Sequence, residues 1–296
     1  MQVVVGGASG FLGSALVEQL RANGHRVTRL VRSGEPAGDA SLWDPVAGRI
    51  DQVVIDRADV VVNLSGAPVS RWPRTQGYRA EILQSRTSAT GTLARAVAAS
   101  PSPAALISSS GMSYYGVDRG DEVLTESTSA GDGFLADVTH AWEAAASPAV
   151  DAGARVCFVR TSLVLDAVGG VLSLMLPAWK LGGGAKLGTG TQHMSLISRR
   201  DWVRAVTFLV ESNDALGPFN LAAPGSQTNA EFTDALGRAV HRPTFLAVPS
   251  FALKIALAGI SEDLLGSLLV TPKALLDAGF AFEDPDLASM LRTALR

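Results

Sequence analysis

Residues 3–20 read VVVGGASGFLGSALVEQL. A run of β-branched residues gives way to glycines at 7, 10 and 13, and these lead into an apolar-periodic stretch. The pattern is strand, tight turn, helix. Each glycine in this G-x-x-G-x-x-G spacing has a physical task in a nucleotide-binding turn. Gly7 permits the sharp bend, Gly10 lets a pyrophosphate approach the backbone, and Gly13 lets helix and strand pack closely. Phe11 and Leu12 open the helix, whose free N–H groups and positive dipole end suit a phosphate. The stretch is therefore expected to bind a dinucleotide through Gly7, Gly10, Phe11, Leu12 and Gly13. A glycine spacing alone is a weak signal, and the strand before it and the helix after it give it meaning.

Outward from this loop the same alternation repeats. RVTRLVR, DVVVNLSG, AALISSS and ARVCFVRTSLVL read as strands. Between them lie helical patterns: FLGSALVEQLRANG closed by Gly24, a long one from about residue 76 to 99, and GFLADVTHAWEAAASPAVDAG as far as about Ser147. Near-continuous apolar strands alternating with helices predict an α/β fold, a Rossmann-type doubly wound parallel sheet covered on both faces and joined by right-handed crossovers. After about Leu165 glycines cluster in DAVGG and KLGGGAKLGTG, and from Asn229 the chain reads mostly helical. The expected division is a dinucleotide-binding domain over 1–165 and a smaller, mostly helical substrate-side domain over 166–296, part of which can return to the sheet.

The second strand bears on which nucleotide is bound. NAD-binding folds usually carry Asp or Glu about 20 residues after the glycine turn, for the ribose 2′-hydroxyl. Here the strand ends LVRS, with Arg32 and Ser33 and no acid. A guanidinium at that place can pair with a 2′-phosphate, so NADP(H) is favoured over NAD(H). Asn63, Ser65 and Gly66 end the strand DVVVNLSG, where ligands approach parallel sheets.

Composition excludes several classes. With 296 residues, 47% of them hydrophobic, the chain can bury one large core or two smaller ones. A net charge of −3 gives no basic field for nucleic acid or an anionic membrane. Cys157, the sole cysteine, lies in RVCFVR and reads as a buried structural thiol. His25, His140, His193 and His241 are scattered, and no metal-ligand spacing is present. The chain opens MQVVVGG, without the pattern of a signal peptide. The most apolar later stretch, FALKIALAGISEDLLGSLLV, contains Lys254, Glu262 and Asp263, which favours amphipathic helices over a membrane span. The expectation is a soluble, cytoplasmic protein acting on a small molecule.

GGASGFLG, NLSGAP, Arg71–Trp72, QSRT around Arg86, SYYG, the WEAAA helix, VRTSLVL, GPFNLAAP and LLDAGFAF follow one another along almost the whole chain. In that order they resemble the extended short-chain dehydrogenase/reductases, and within them the branch of epimerase-family, or sugar-nucleotide epimerase-like, proteins. The resemblance implies a Rossmann-type domain with a smaller C-terminal substrate domain. It also implies a Tyr acid/base, a Lys one helical turn later, and a Ser or Thr at a preceding strand end. If Glu143 matches the helix glutamate of that family, the Tyr and Lys positions fall on Leu135 and Thr139. A register shifted by one places them on Phe134 and Val138. Neither restores Tyr-x-x-x-Lys. Where the branch shows Trp-Ile-His, this chain has Leu196, Ile197 and Ser198.

The stretch SSSGMSYYG, residues 108–116, then gains weight. Ser109 or Ser110 can supply a polarising hydroxyl, with Ser113 a further candidate, and Ser109 can also touch the cofactor. Tyr114 or Tyr115 can stand in as the acid. Arg86 can face a phosphate or carboxylate, Arg71 and Trp72 can cover a pocket, and Arg160 and Thr161 stand at the next strand end, on the substrate side. Asp201 is expected to cap a helix. The functional expectation is an NADP(H)-binding epimerase-like oxidoreductase on a small polar substrate, such as a nucleotide sugar. A simple carbonyl reductase and a non-catalytic NADP(H)-binding sensor are the alternatives.

Overall fold

In the computed structural model, which describes residues 1–34, 38–256 and 261–296, the opening valines form the strand Gln2–Gly6. Val3, Val4 and Val5 are all buried. Successive strand side chains point to opposite faces, so this strand needs cover on both sides and lies inside the sheet. It pairs in parallel with Arg26–Val31 on one side and Val60–Asn63 on the other. Among the described residues the main sheet has eight strands. Their order is Gly217–Leu221, Val156–Thr161, Ala105–Gly111, Val60–Asn63, Gln2–Gly6, Arg26–Val31, Ala40–Asp44 and Arg49–Ile50. The register sets Gly6 opposite Asn63 and Asn63 opposite Ser108, so three carboxyl ends line up along one edge.

The chain forms two compact units. One comprises Met1–Gly111, Asp137–Arg160 and Val203–Phe219; the other comprises Met112–Ala136, Thr161–Trp202 and Asn220–Arg296. The expected boundary at residue 165 falls within the Thr161–Trp202 segment.

In the first unit the helix Phe11–Ala22 buries Leu16, Val17 and Leu20, and Gly24 just beyond it takes φ +82°. The helix Gln76–Ala99 starts at Thr75, whose side chain accepts from the Tyr78 N–H, and packs Leu93 and Val97 into a core with Val4, Val61, Leu106 and Val156. The Cys157 thiol is buried and donates to Ala215 O at 3.1 Å. Burial pushes its pKa up to about 11, outweighing the nearby Arg155. Two strands were not legible in the sequence, Ala40–Asp44 and Arg49–Ile50. Their turn is made by Asp44, whose carboxylate accepts from Val46 N and Ala47 N, and by Gly48 at φ +68°.

Two expected elements are divided. The helical pattern GFLADVTHAWEAAASPAVDAG forms Phe134–Ala144 and then a separate short helix, Ser147–Asp151. Pro148 lies in the first turn of the second helix, where a missing N–H costs nothing. ARVCFVRTSLVL forms Val156–Thr161 and then Leu163–Asp166, which pairs in parallel with Leu196–Ser198 instead. Ser162 lies at the break, with N and Oγ both donating to Leu221 O, at 3.1 and 2.7 Å.

The second unit has its own core of Leu165, Leu172, Leu176, Trp179, Leu196, Phe232, Leu236, Met290 and Leu291. From Asn229 on, helices are the main elements: Asn229–Ala239 begins with a Thr228/Glu231 capping box and Leu287–Ala294 with an Asp286/Ser289 one. The apolar stretch 251–270 lies in helices Ser250–Ala256 and Ser261–Leu265 and the strand Leu269–Val270, with residues 257–260 outside the described set. No helix among the described residues is long and apolar enough to cross a membrane. At the start of the helix Arg199–Glu211, Ser198 Oγ accepts from the Asp201 N–H at 3.1 Å. The Asp201 carboxylate is buried and accepts from Glu283 N and Asp284 N, tying the chain's last segment to this helix.

Candidate functional site

The glycine loop has the geometry its spacing requires. Gly7 takes φ +76°, and a Cβ there would lie 2.7 Å from the backbone of Leu64. A Cβ on Gly13 would lie 2.2 Å from Gly7 O, so any side chain would force helix and strand apart. Gly10 differs: it is extended, and a Cβ would meet only Gly7 O, at 3.3 Å. The exposed Ser9 and Gly10 therefore leave an open cradle at the start of the helix Phe11–Ala22, which no side chain caps. This fits a pyrophosphate, whose charge the helix dipole favours.

Beside this loop, Asn63 is fully buried and orders the next strand end. Its Oδ1 accepts from Ser65 N at 3.1 Å, and its Nδ2 donates to Thr90 Oγ1 at 2.8 Å. Thr90 Oγ1 also accepts from Trp142 Nε1 at 2.9 Å, linking the strand end to two helices. Ser65 stands against the backbone of Gly6, and Gly66 is exposed. One strand further, Ser109 is half-buried and Ser110 buried.

Ser110 Oγ donates to Glu143 Oε1 at 2.6 Å. Arg160 clamps the same carboxylate, with Nε on Oε1 and Nη2 on Oε2, both at 2.9 Å. The side chains of Arg160 and Glu143 are 4% and 13% exposed, so this is a desolvated, bidentate pair. The hydroxyl proton of Ser110 is committed to Glu143, which leaves the Ser110 oxygen free to accept from a ligand. In the sequence Glu143 stands out only as a register mark on its helix. Ser110 and Arg160 lie 33 and 17 positions from it, and no local spacing announces such a cluster.

A family model described as the NAD dependent epimerase/dehydratase family matches residues 3–222. The chain belongs to that family. A second model, Domain of unknown function (DUF1731), matches residues 248–294 of this epimerase-family protein. Among its relatives, Epimerase family protein Mb2239 of Mycobacterium bovis is 40% identical over 291 residues, covering 98% of this chain and 96% of that protein. The crystal structure of human epimerase family protein SDR39U1 (isoform 2) with NADPH is 32% identical, covers 100% of both chains and superposes with a TM-score of 0.90. That of the nucleoside-diphosphate sugar epimerase from Corynebacterium glutamicum is 33% identical with a TM-score of 0.83, and there this chain spans 58% of the longer neighbour.

Within this epimerase-family fold the other expected site residues take varied positions. Arg32 and Ser33 are exposed at the end of Arg26–Val31, and Arg32 makes no hydrogen bond or ion pair among the described residues. In the second unit Tyr115 is fully buried and its hydroxyl donates to Asn220 Oδ1 at 2.7 Å, the environment of a core residue. Tyr114 packs edge-on against it and is half-buried. Thr161 Oγ1 accepts from Trp202 Nε1 at 3.0 Å. Arg71 lies over the Tyr78 ring, 4.8 Å from its centroid, and Trp72 is exposed. Ser198 is buried, and its Oγ donates to Asp284 Oδ2 at 2.7 Å. Thr139, in one of the two registers for the Lys, is buried, and Leu135 is half-buried. The second unit also holds an open polar depression of about 390 Å³ edged by Asp118, Asp121, Thr189, Thr191, Gln192 and Ser250.

Proposed function

We propose that this epimerase-family protein binds NADP(H) and acts as an oxidoreductase on a small polar carbinol or carbonyl substrate, with Ser110 and Glu143 moving the proton. The observation that carries this reading is the 2.6 Å bond from Ser110 Oγ to Glu143, at a strand end in register with the glycine-loop strand. Gly7, Gly10, Phe11, Leu12 and Gly13 would hold the pyrophosphate. Asn63, Ser65, Gly66 and Ser109 would line the path of the cofactor, and Arg32 with Ser33 would take the 2′-phosphate.

When bound, NADP(H) supplies or takes a hydride at the substrate carbon. As a carbinol is oxidised, Ser110 Oγ accepts its hydroxyl proton while the proton of Ser110 passes to Glu143 Oε1. Arg160 holds the carboxylate in place through its two N–H groups. On reduction the same atoms return the proton. Tyr115 is assigned to the core, and Tyr114 has no role in this relay. The relay replaces a Tyr-x-x-x-Lys pair for which neither Leu135 and Thr139 nor Phe134 and Val138 provide the chemistry. A nucleotide sugar is the first substrate to test, on the strength of the name of the Corynebacterium glutamicum neighbour.

The missing Tyr and Lys favour a second reading, an NADP(H)-binding sensor without turnover. Turnover of bound NADPH across a panel of nucleotide sugars and simple carbonyls separates the two. Ser110→Ala and Glu143→Gln should each lower turnover by roughly 10²–10⁴-fold and leave NADPH affinity within about twofold. Full activity in either variant would remove the relay. Calorimetric titration with NADPH and NADH tests the cofactor: a preference for NADPH that Arg32→Ala abolishes supports the phosphate role, and equal binding refutes it.

A further inference from the structure

Arg86 lies on the helix Gln76–Ala99 beside the loop that follows Val60–Asn63, and it is only 9% exposed. Its Nη1 donates to Ala67 O at 3.0 Å and to Ile82 O at 3.1 Å, and its guanidinium lies over the Trp142 ring, 4.9 Å from the centroid. Nε and Nη2 have no partner among the described residues, and no carboxylate there pairs with this cation. Burial pushes its pKa down to about 10, opposed only by the Tyr78 phenol. Arg160, by contrast, is buried with its counter-charge in place.

A guanidinium held mostly out of water without an anion is unfavourable, and stacking and two carbonyl bonds offset only part of that. The guanidinium also borders Gly66: a Cβ there would lie 3.2 Å from Cζ and 3.3 Å from Nη1. Gly66 is itself exposed, so the glycine keeps side-chain bulk away from the cation where the loop meets solvent. The free Nε and Nη2 form one edge of the fork, which matches two oxygens of a carboxylate or phosphate.

We propose that Arg86 is the oxyanion receptor of this site, binding a carboxylate or phosphate group through its Nε/Nη2 edge. The proposal deepens the functional reading above and rests on it for the second ligand. The oxyanion has two sources, the substrate and NADP(H) itself.

The test compares wild type, Arg86→Met and Arg86→Lys by thermal melting in inorganic phosphate or acetate, against chloride at equal ionic strength. Wild type should gain roughly 2–4 °C at about ten times the anion Kd. Arg86→Met should gain none of this difference, and Arg86→Lys less than wild type. Without anions Arg86→Met should melt no lower than wild type, because the uncompensated cation is gone. A wild type that does not respond to either anion, or variants that respond equally to it, would overturn the proposal. If the methionine variant does not fold, the lysine variant and the wild-type response decide. NADPH titration then identifies the source. Unchanged affinity in the variants assigns the oxyanion to the substrate, and a loss of about tenfold assigns it to a cofactor phosphate. Failure of wild type to bind NADPH would overturn the cofactor reading alone, since the anion melts need no cofactor.

Discussion

Replacing Glu143 with Gln keeps the shape and one acceptor oxygen but removes the charge that balances Arg160. The Arg160 side chain is 4% exposed and the Glu143 side chain 13%, so water can do little to compensate. Removing one partner of such a pair costs roughly 3–5 kcal/mol, because the other charge is left buried. The amide oxygen can still accept from one of the two N–H groups that Glu143 accepts now, which reduces the expected loss to about 2–4 kcal/mol. At about 2 °C per kcal/mol for a chain of this size, Tm should fall by roughly 4–8 °C. Arg160→Met should cost a similar amount, since it strands the carboxylate. The double variant Glu143→Gln/Arg160→Met removes both charges of this pair, and it should be no less stable than either single variant. The assay is thermal unfolding followed by circular dichroism, at two scan rates, on all four proteins. A Tm change under about 1 °C in Glu143→Gln, or a double variant whose loss is the plain sum of the singles, would refute the reading of this cluster as a coupled buried unit.

Three further predictions rest on other parts of the chain. Gly13→Ala should cost several degrees of Tm and abolish NADPH binding, because its Cβ would meet Gly7 O at 2.2 Å; Gly10→Ala, with a 3.3 Å contact, should fold with Tm within about 2 °C of wild type yet bind NADPH at least about tenfold more weakly. Cys157 should resist alkylation at pH 8 in the folded protein and react on unfolding, since burial holds its thiol near 11, and rapid labelling of native protein would contradict this. For Asp284, burial pushes the carboxyl up, but hydrogen bonds from Arg200, Ser198 and Thr293 outweigh it and hold the pKa below the ordinary carboxylate range. A depressed folded-state pKa contributes stability above the unfolded value, about 3.9, and that stability is lost as pH falls through the folded value. Asp284→Asn should therefore flatten the acid limb of the Tm-against-pH curve, and an unchanged limb would show that the group is not linked to folding.

What short spacings can encode was legible before any tertiary contact was known. The β-branched run, the three glycines and the periodic stretch after them specify strand, turn and helix locally, and the structure has each glycine where a side chain would clash or fill the cradle. The long helix was legible from residue 76 to 99 for the same reason. Legibility failed where the partner was distant. Ser162 divides what reads as one strand because Leu221, far along the chain, offers its carbonyl. Asp201 has the look of a cap in the sequence, yet it holds Glu283 and Asp284. In the site, the serines at the strand end were visible as chemistry. That Ser110 meets Glu143 and Arg160, that Tyr115 is buried against Asn220, and that Arg86 lies buried over Trp142 without a counter-charge among the described residues were not visible. Desolvation and pairing depend on which residues the packed chain brings within a few ångströms. Beyond the few residues of one turn, sequence separation does not set that distance, so which polar groups meet follows from the packing of the whole chain.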